Sequence, residues 1–139
     1  MLPTIEKLVS GKIHSIESEQ SVRNAAEAMA ANRIGSLLVA EDGTYIGIIT
    51  EVDIIRKVVA KGLDPATMAV QKVMTSPLIT IDADRSVLDA NDIMERKKIR
   101  HLVVTRRGKV IGMVSVRDFL HPLDFEEDEE SGYERASGF

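Results

Sequence analysis

The chain is 139 residues long, enough to bury a core of its own, and its 44% apolar and 29% charged residues fall in the range of folded rather than disordered chains. It has no cysteine, which excludes disulfides, thiolate nucleophiles and cysteine-built metal centres. The net charge of −4 is segregated, because the stretch after residue 120 carries −6 and leaves the rest of the chain mildly basic.

The N-terminal stretch MLPTIEKLVSGK has neither the apolar centre nor the cleavage pattern of a secretory signal. No run reaches the ~20 apolar residues that a bilayer span requires. A cytoplasmic location with no membrane partner is therefore expected.

In chain order, residues 1–11 read as a lead-in with a short helix around Ile5 to Val9, followed by a short strand over Lys12 to Ile16. Ser21 is a good N-cap for a helix whose inner face holds Val22, Ala25, Ala26 and Met29, spaced i, i+3, i+4 and i+7. Ser36 to Ala40 and Ile46 to Thr50 are nearly continuous apolar runs joined through Asp42-Gly43, a strong hairpin signal. Such runs predict strands covered on both faces. Gly47, inside the second run, predicts a bulge or a close approach by another segment.

From Glu51 the period becomes helical, with Val52, Ile55, Val58 and Val59 as the expected inner stripe, ending at Gly62 and Pro65. Residues 64–76 form a link. The order then returns: a strand over Leu78 to Ile81, a helix from Ser86 with Val87, Ala90, Ile93 and Met94 inward, strands His101 to Thr105 and Lys109 to Ser115, and a helix from Val116. Residues 123–139 are an acidic tail expected to be disordered, with the sharper alternative that it folds over the basic run Arg96 to Lys109.

That return is an internal duplication. Tyr45 to Asp53, YIGIITEVD, reappears without a gap as Val110 to Asp118, VIGMVSVRD, and the offset of 65 also relates Val22 to Val87, Met29 to Met94, Ile34 to Ile99 and Gly43 to Gly108. A constant offset across helix faces, turns and strand cores means that a packed unit was copied. The expected fold is α+β: two repeats of strand-helix-strand-strand-helix, residues 12–63 and 77–122, packed about a pseudo-two-fold axis. Exposed helical faces would then favour a homodimer.

Thr50 and Asp53, like Ser115 and Asp118, place a hydroxyl and a carboxylate three apart at a strand-to-helix junction. One reading is a reciprocal helix cap. The other is a socket in which the carboxylate accepts two hydrogen bonds from a vicinal diol and the hydroxyl donates to a phosphate or sugar oxygen. The motif by itself leaves both open. The histidines at 14, 101 and 121 lack metal-ligand spacing, no phosphate-cradling glycine loop is present, and no residue set offers nucleophile, base and oxyanion donors together. No catalytic residue, metal or cofactor is expected.

The doubled segments Gly47 to Asp53 and Gly112 to Asp118, the apolar stretches Ile34 to Val39 and Ile99 to Val104, and the link residues Val73-Met74-Thr75-Ser76-Pro77 resemble the CBS-domain family, in which tandem copies form a Bateman module. The resemblance covers about residues 3 to 122. It implies a regulatory, energy-sensing module that holds AMP, ADP, ATP or S-adenosylmethionine in clefts between its copies and acts on a separate, unidentified protein. By the same resemblance Thr50, Asp53, Ser115 and Asp118 hold the ribose or phosphate, and Arg100 and His101 stand where family members contact phosphates. At the matching Gly35 and Ser36 the basic pair is missing, which puts a phosphate-rich ligand at the first copy in doubt. Two other readings stand beside this one: a nucleic-acid binder using Arg96 to Lys109, which is the less expected partner, and a dimerisation scaffold with empty sites.

Overall fold

The structure is a computed structural model, and it describes residues 3–9 and 12–120. The chain divides into two compact units. One is His14–Leu78; the other joins the chain before it, up to Ile13, with the chain from Ile79 onward. The acidic tail and His121 lie outside the described residues.

In the unit His14–Leu78, strand β1 (Ser15–Glu17) lies parallel to β2 (Ser36–Glu41), which pairs antiparallel with β3 (Thr44–Thr50). A parallel neighbour needs a crossover, which helix α1 (Val22–Asn32) provides between β1 and β2. Ser21 caps α1 by accepting from the Asn24 amide at 3.0 Å. Arg33 ends it in the left-handed conformation. Val22, Ala25 and Met29 of α1 pack on Leu37, Val39 and Ile49 of the sheet. Leu38, between two of those core positions, is also fully buried, as expected for a strand covered on both sides.

The hairpin between β2 and β3 turns at Asp42 and Gly43, both at positive φ, the conformation of the tight turn that matches strand twist. Past the turn, Ala40 pairs with Tyr45 but Val39 pairs with Gly47, so Ile46 is the extra residue of a bulge. The second unit repeats every step: β4 (Thr80–Asp82), α3 (Val87–Lys97), β5 (His101–Arg106), β6 (Lys109–Ser115) and α4 (Val116–Leu120). Its sheet has the same order and senses, its turn the same φ signs at Arg107 and Gly108, and its bulge the equivalent residue, Ile111.

After β3 the chain forms a short helix α2 (Glu51–Ile54) and passes into a π-helical turn over Ile55–Val59. The Ala60 amide bonds the Ile55 carbonyl at 2.8 Å, and the Leu63 amide the Val58 carbonyl at 3.0 Å. This corrects the expected stripe. Widening the turn brings residues five apart onto one side, so Asp53 and Val58 are buried while Ile55 and Val59 are 58% and 64% exposed.

The lead-in and the link adopt matching roles. Ile5–Leu8 forms a 3₁₀ turn whose Ile5 and Glu6 amides bond the carbonyls of Arg85 and Ala83 at 2.8 and 3.1 Å, and Ile5 is fully buried beside Ile81, Ala90 and Leu102. Val70–Lys72, 65 residues on, forms the same turn in the other unit: the Val70 and Gln71 amides bond Gln20 and Ser18, and Val70 is buried beside Val22 and Leu37. Each sheet is therefore completed by the turn that precedes the other repeat in sequence.

Because Ile5 is a core residue despite its place near the chain start, Ile5→Ala is expected to lower stability by about 2–4 kcal/mol, read from urea unfolding. A null effect there would show that the 3₁₀ turn does not hold the unit together. Helix α3 predicts a pH effect. Its cap Ser86 and Asp89 bond reciprocally, and the Arg85 guanidinium, 3.0 Å from Asp89, together with the Ser86 amide, holds the Asp89 carboxyl below its ordinary value. A depressed folded-state value stabilises above the unfolded one, about pH 4, and that stabilisation fades as the pH falls through the folded value. The stability difference between the native chain and Asp89→Asn should thus be present at neutral pH and shrink in acid titrations.

Candidate functional site

The hydroxyl-carboxylate motif occurs at a plain helix start and at a strand-to-helix junction, and comparing the two separates capping from anything more. At Ser86 and Asp89 the carboxylate is 42% exposed and bonded within its own turn and to Arg85. Thr50 and Asp53 make the same reciprocal cap, the Thr50 amide reaching Asp53 Oδ2 at 3.0 Å and the Asp53 amide reaching Thr50 Oγ1 at 3.2 Å. Here the residue is only 6% exposed. A buried carboxylate must be paired, since an unpaired one costs several kcal/mol.

Two groups from outside the cap provide that pairing. The Lys57 ammonium lies 3.0 Å from Asp53 Oδ1 and also donates to the Val73 carbonyl at 3.0 Å. The Thr75 hydroxyl lies 3.2 Å from Oδ1 and 3.4 Å from Oδ2. Neither residue was singled out from the sequence as part of the site. The i, i+4 spacing of Asp53 and Lys57 was a usable signal. Thr75, 22 residues away, stood out only within the link motif and had no spacing that tied it to Asp53.

Thr75 is there because the link runs along β3. The Ile48 amide bonds the Thr75 carbonyl at 3.0 Å and the Thr75 amide bonds the Ile48 carbonyl at 2.8 Å. Gly47 makes the approach possible: a methyl group on it would stand 2.7 Å from Met74 Sδ and 2.9 Å from the Thr75 carbonyl oxygen. The reading of Gly47 as a point of close approach holds, and the approaching segment is Met74-Thr75.

In the other unit, Ser115 and Asp118 repeat the junction, with the Ser115 amide 2.7 Å and its hydroxyl 3.4 Å from Asp118 Oδ2. The register seats His101 opposite Ser115, and the Val116 amide bonds the Arg100 carbonyl at 3.0 Å. Arg100, His101, Ser115 and Asp118 thus gather at one end of one sheet. The matching set in the unit His14–Leu78 is Gly35, Ser36, Thr50 and Asp53, with Ser36 opposite Thr50 and the Glu51 amide bonding the Gly35 carbonyl at 3.0 Å.

The two sets differ in charge. A Cβ on Gly35 would stand 3.1 Å from the Glu51 carboxylate, so the bare glycine leaves that side to an acid. In the second copy the glycine is Arg100 and the acid is Val116. The first set has Glu51, Asp53 and Lys57; the second has Arg100, His101 and Asp118. The first set therefore carries one more acid than the second, and the second has the basic residue Arg100 where the first has Gly35.

The basic run from Arg96 to Lys109 is not one patch. Arg96, Lys97 and Lys98 end α3, whereas Arg106, Arg107 and Lys109 flank the hairpin turn, and the strand β5 that separates them spans roughly 20 Å. Arg96 pairs with Asp92, and Arg106 with Glu6. Among the described residues no three His, Asp or Glu side chains come together as a metal site, and no helix is long and apolar enough to cross a membrane.

Comparison with known proteins follows the duplication. The CBS domain model matches residues 5–60 and again 70–124. The chain is 34% identical over 119 residues to the CBS domain-containing protein CBSCBSPB2 of Arabidopsis thaliana; the match takes in 85% of this chain and 22% of that relative, so the chain spans about a fifth of its length. A solved structure of a conserved protein from Pyrococcus horikoshii superposes with a TM-score of 0.80 at 30% identity, covering 86% of this chain and 91% of that one. The hexameric CBS-CP12 protein from bloom-forming cyanobacteria superposes with a TM-score of 0.82 at 26% identity, covering 99% and 86%.

Proposed function

Since the chain belongs to the CBS-domain family, with one copy of the domain at residues 5–60 and another at 70–124, we propose that it is a non-catalytic regulatory module of the cytoplasm that binds an adenosine-containing ligand: AMP, ADP, ATP or S-adenosylmethionine. The observation that carries this reading is the gathering of Arg100, His101, Ser115 and Asp118 at the strand-to-helix junction of β6 and α4. Asp118 would accept from the ribose diol, Ser115 would donate to a sugar or phosphate oxygen, and the Arg100 guanidinium would neutralise phosphate through its planar fork. Thr50 and Asp53 would hold the sugar of a second ligand. With Glu51 beside them and no basic pair at Gly35 and Ser36, they suit a nucleoside better than a polyphosphate.

Binding alone regulates nothing. A ligand shifts the module only by its difference in affinity for two arrangements, and the responding protein must read that difference. Exposed apolar side chains supply the other half of the proposal. Ile55, Val59 and Leu63, each four residues apart, are 58%, 64% and 41% exposed on the unit His14–Leu78. A second copy of the chain covers this stripe, in keeping with the hexameric assembly named for the cyanobacterial relative.

Thermal-shift measurements with AMP, ADP, ATP, S-adenosylmethionine and NAD test the ligand. One that binds, at 100 times its dissociation constant, stabilises by about 2.7 kcal/mol. Arg100→Ala should weaken ATP more than adenosine, by about tenfold for a lost charge-assisted contact. If no adenosine compound shifts the transition, and Asp53→Asn and Asp118→Asn change stability alone, the chain is a scaffold. For self-association, light scattering should give a multiple of the 15.3 kDa chain mass, falling to a single chain in Ile55→Asp/Val59→Asp; a native chain that runs as a monomer rejects the stripe as an interface.

A further inference from the structure

The carboxylate assigned to the sugar of the first ligand is already occupied by the chain itself. Asp53 accepts from the Thr50 amide and hydroxyl through Oδ2, from the Thr75 hydroxyl through both oxygens, and from the Lys57 ammonium through Oδ1. A vicinal diol needs two acceptor positions on that carboxylate. The Thr50 amide belongs to the cap of α2 and cannot leave without fraying it. Lys57 and Thr75 can.

Lys57 is suited to leaving. Its side chain is 43% exposed against 8% for Asp53, so water is at hand for the ammonium when the carboxylate is taken. It sits in the π-helical turn Ile55–Val59, an irregularity frequent at functional sites. Its second hydrogen bond goes to the Val73 carbonyl, in the same link whose Thr75 pairs with Ile48 on β3. One side chain therefore ties three things together: the candidate diol acceptor, the widened turn of the helix and the link. The residue 65 positions on is Pro122, so the duplication did not preserve the ammonium.

We propose that Lys57 is an internal competitor for the Asp53 carboxylate, an autoinhibitory contact that holds the Val73 to Thr75 link on the edge of β3 and gives way when a ligand diol takes its place. This deepens the functional reading above and rests on it for the identity of the ligand, but the contact itself does not depend on it. Displacing Lys57 frees the Val73 carbonyl and weakens the hold on Thr75. Occupancy of the socket is thereby converted into loosening of the link.

The experiment uses Lys57→Met, which keeps the length of the side chain and removes its charge, and Thr75→Val, which removes the other displaceable partner. Without ligand, the Thr75 amide, bonded to Ile48, should exchange its hydrogen faster in Lys57→Met by about three- to tenfold, as expected for loss of a part-buried ion pair, while amides of β5 keep their native rates. Unchanged exchange at Thr75 overturns the contact, whatever the chain binds. AMP is then titrated in an Asp118→Asn background, which leaves an acceptor for the Ser115 amide and confines the signal to the first socket. Lys57→Met should bind AMP about three- to tenfold more tightly, and Thr75→Val should move in the same direction. Weaker or equal binding by Lys57→Met would make the lysine a ligand contact or a bystander and reject the competition. Faster exchange with no AMP binding by any variant keeps the contact and rejects the adenosine reading of the Thr50 and Asp53 socket instead.

Discussion

A carboxylate removed from water must be paired, and the neighbourhood of Asp53 is organised by that requirement. Thr50 answers it from the strand end, Lys57 from one turn along the helix and Thr75 from the far side of the link. Each partner needs its own backbone arrangement. The cap requires the helix to start at Glu51; the lysine comes from a turn widened to i→i+5 bonding; and the threonine requires the link to lie against β3, which only a glycine at position 47 permits. Four features of unlike kind thus meet at one acid.

The duplicated unit shows how one fold carries two different sets of side chains. Strand order, turn conformation, bulge position and the backbone bond from residue 51 or 116 back to residue 35 or 100 are the same in both. What differs is the side chains on this frame: glycine and glutamate in one copy, arginine and valine in the other. The main-chain geometry sets where the hydroxyl and carboxylate of each junction stand. The side chains set the charge around them.

The exchange of 3₁₀ turns gives the repeat its physical unit. A three-stranded sheet with one crossover helix leaves an apolar opening beside the first strand, and a buried aliphatic residue fills it: Ile5 in one unit, Val70 in the other. Both turns are bonded through the same pair of carbonyl positions, 18 and 20 or 83 and 85. The CBS domain matches, which begin at 5 and 70, start at those two residues. Along the chain each turn precedes one repeat, while in space it completes the other.

Much of this was legible in the amino-acid sequence, because it is written in local patterns and in their recurrence. Asp42-Gly43 demanded a tight hairpin, the apolar runs at 36–40 and 46–50 demanded strands, of which the first is buried on both faces and the second only at alternate positions, Ser21 and Ser86 demanded helix starts, and the offset of 65 required two copies of one unit, which the CBS family matches bear out. Thr50, Asp53, Ser115 and Asp118 stood out for the same reason. Tertiary structure alone decided the rest. Periodicity assumes a regular helix, so it turned Ile55 and Val59 inward where a π-helical turn exposes them. Spacing sees only neighbours along the chain, so it could not find Thr75 beside Asp53, or seat Ile5 in the core of the later repeat, since both contacts arise from segments brought together by folding.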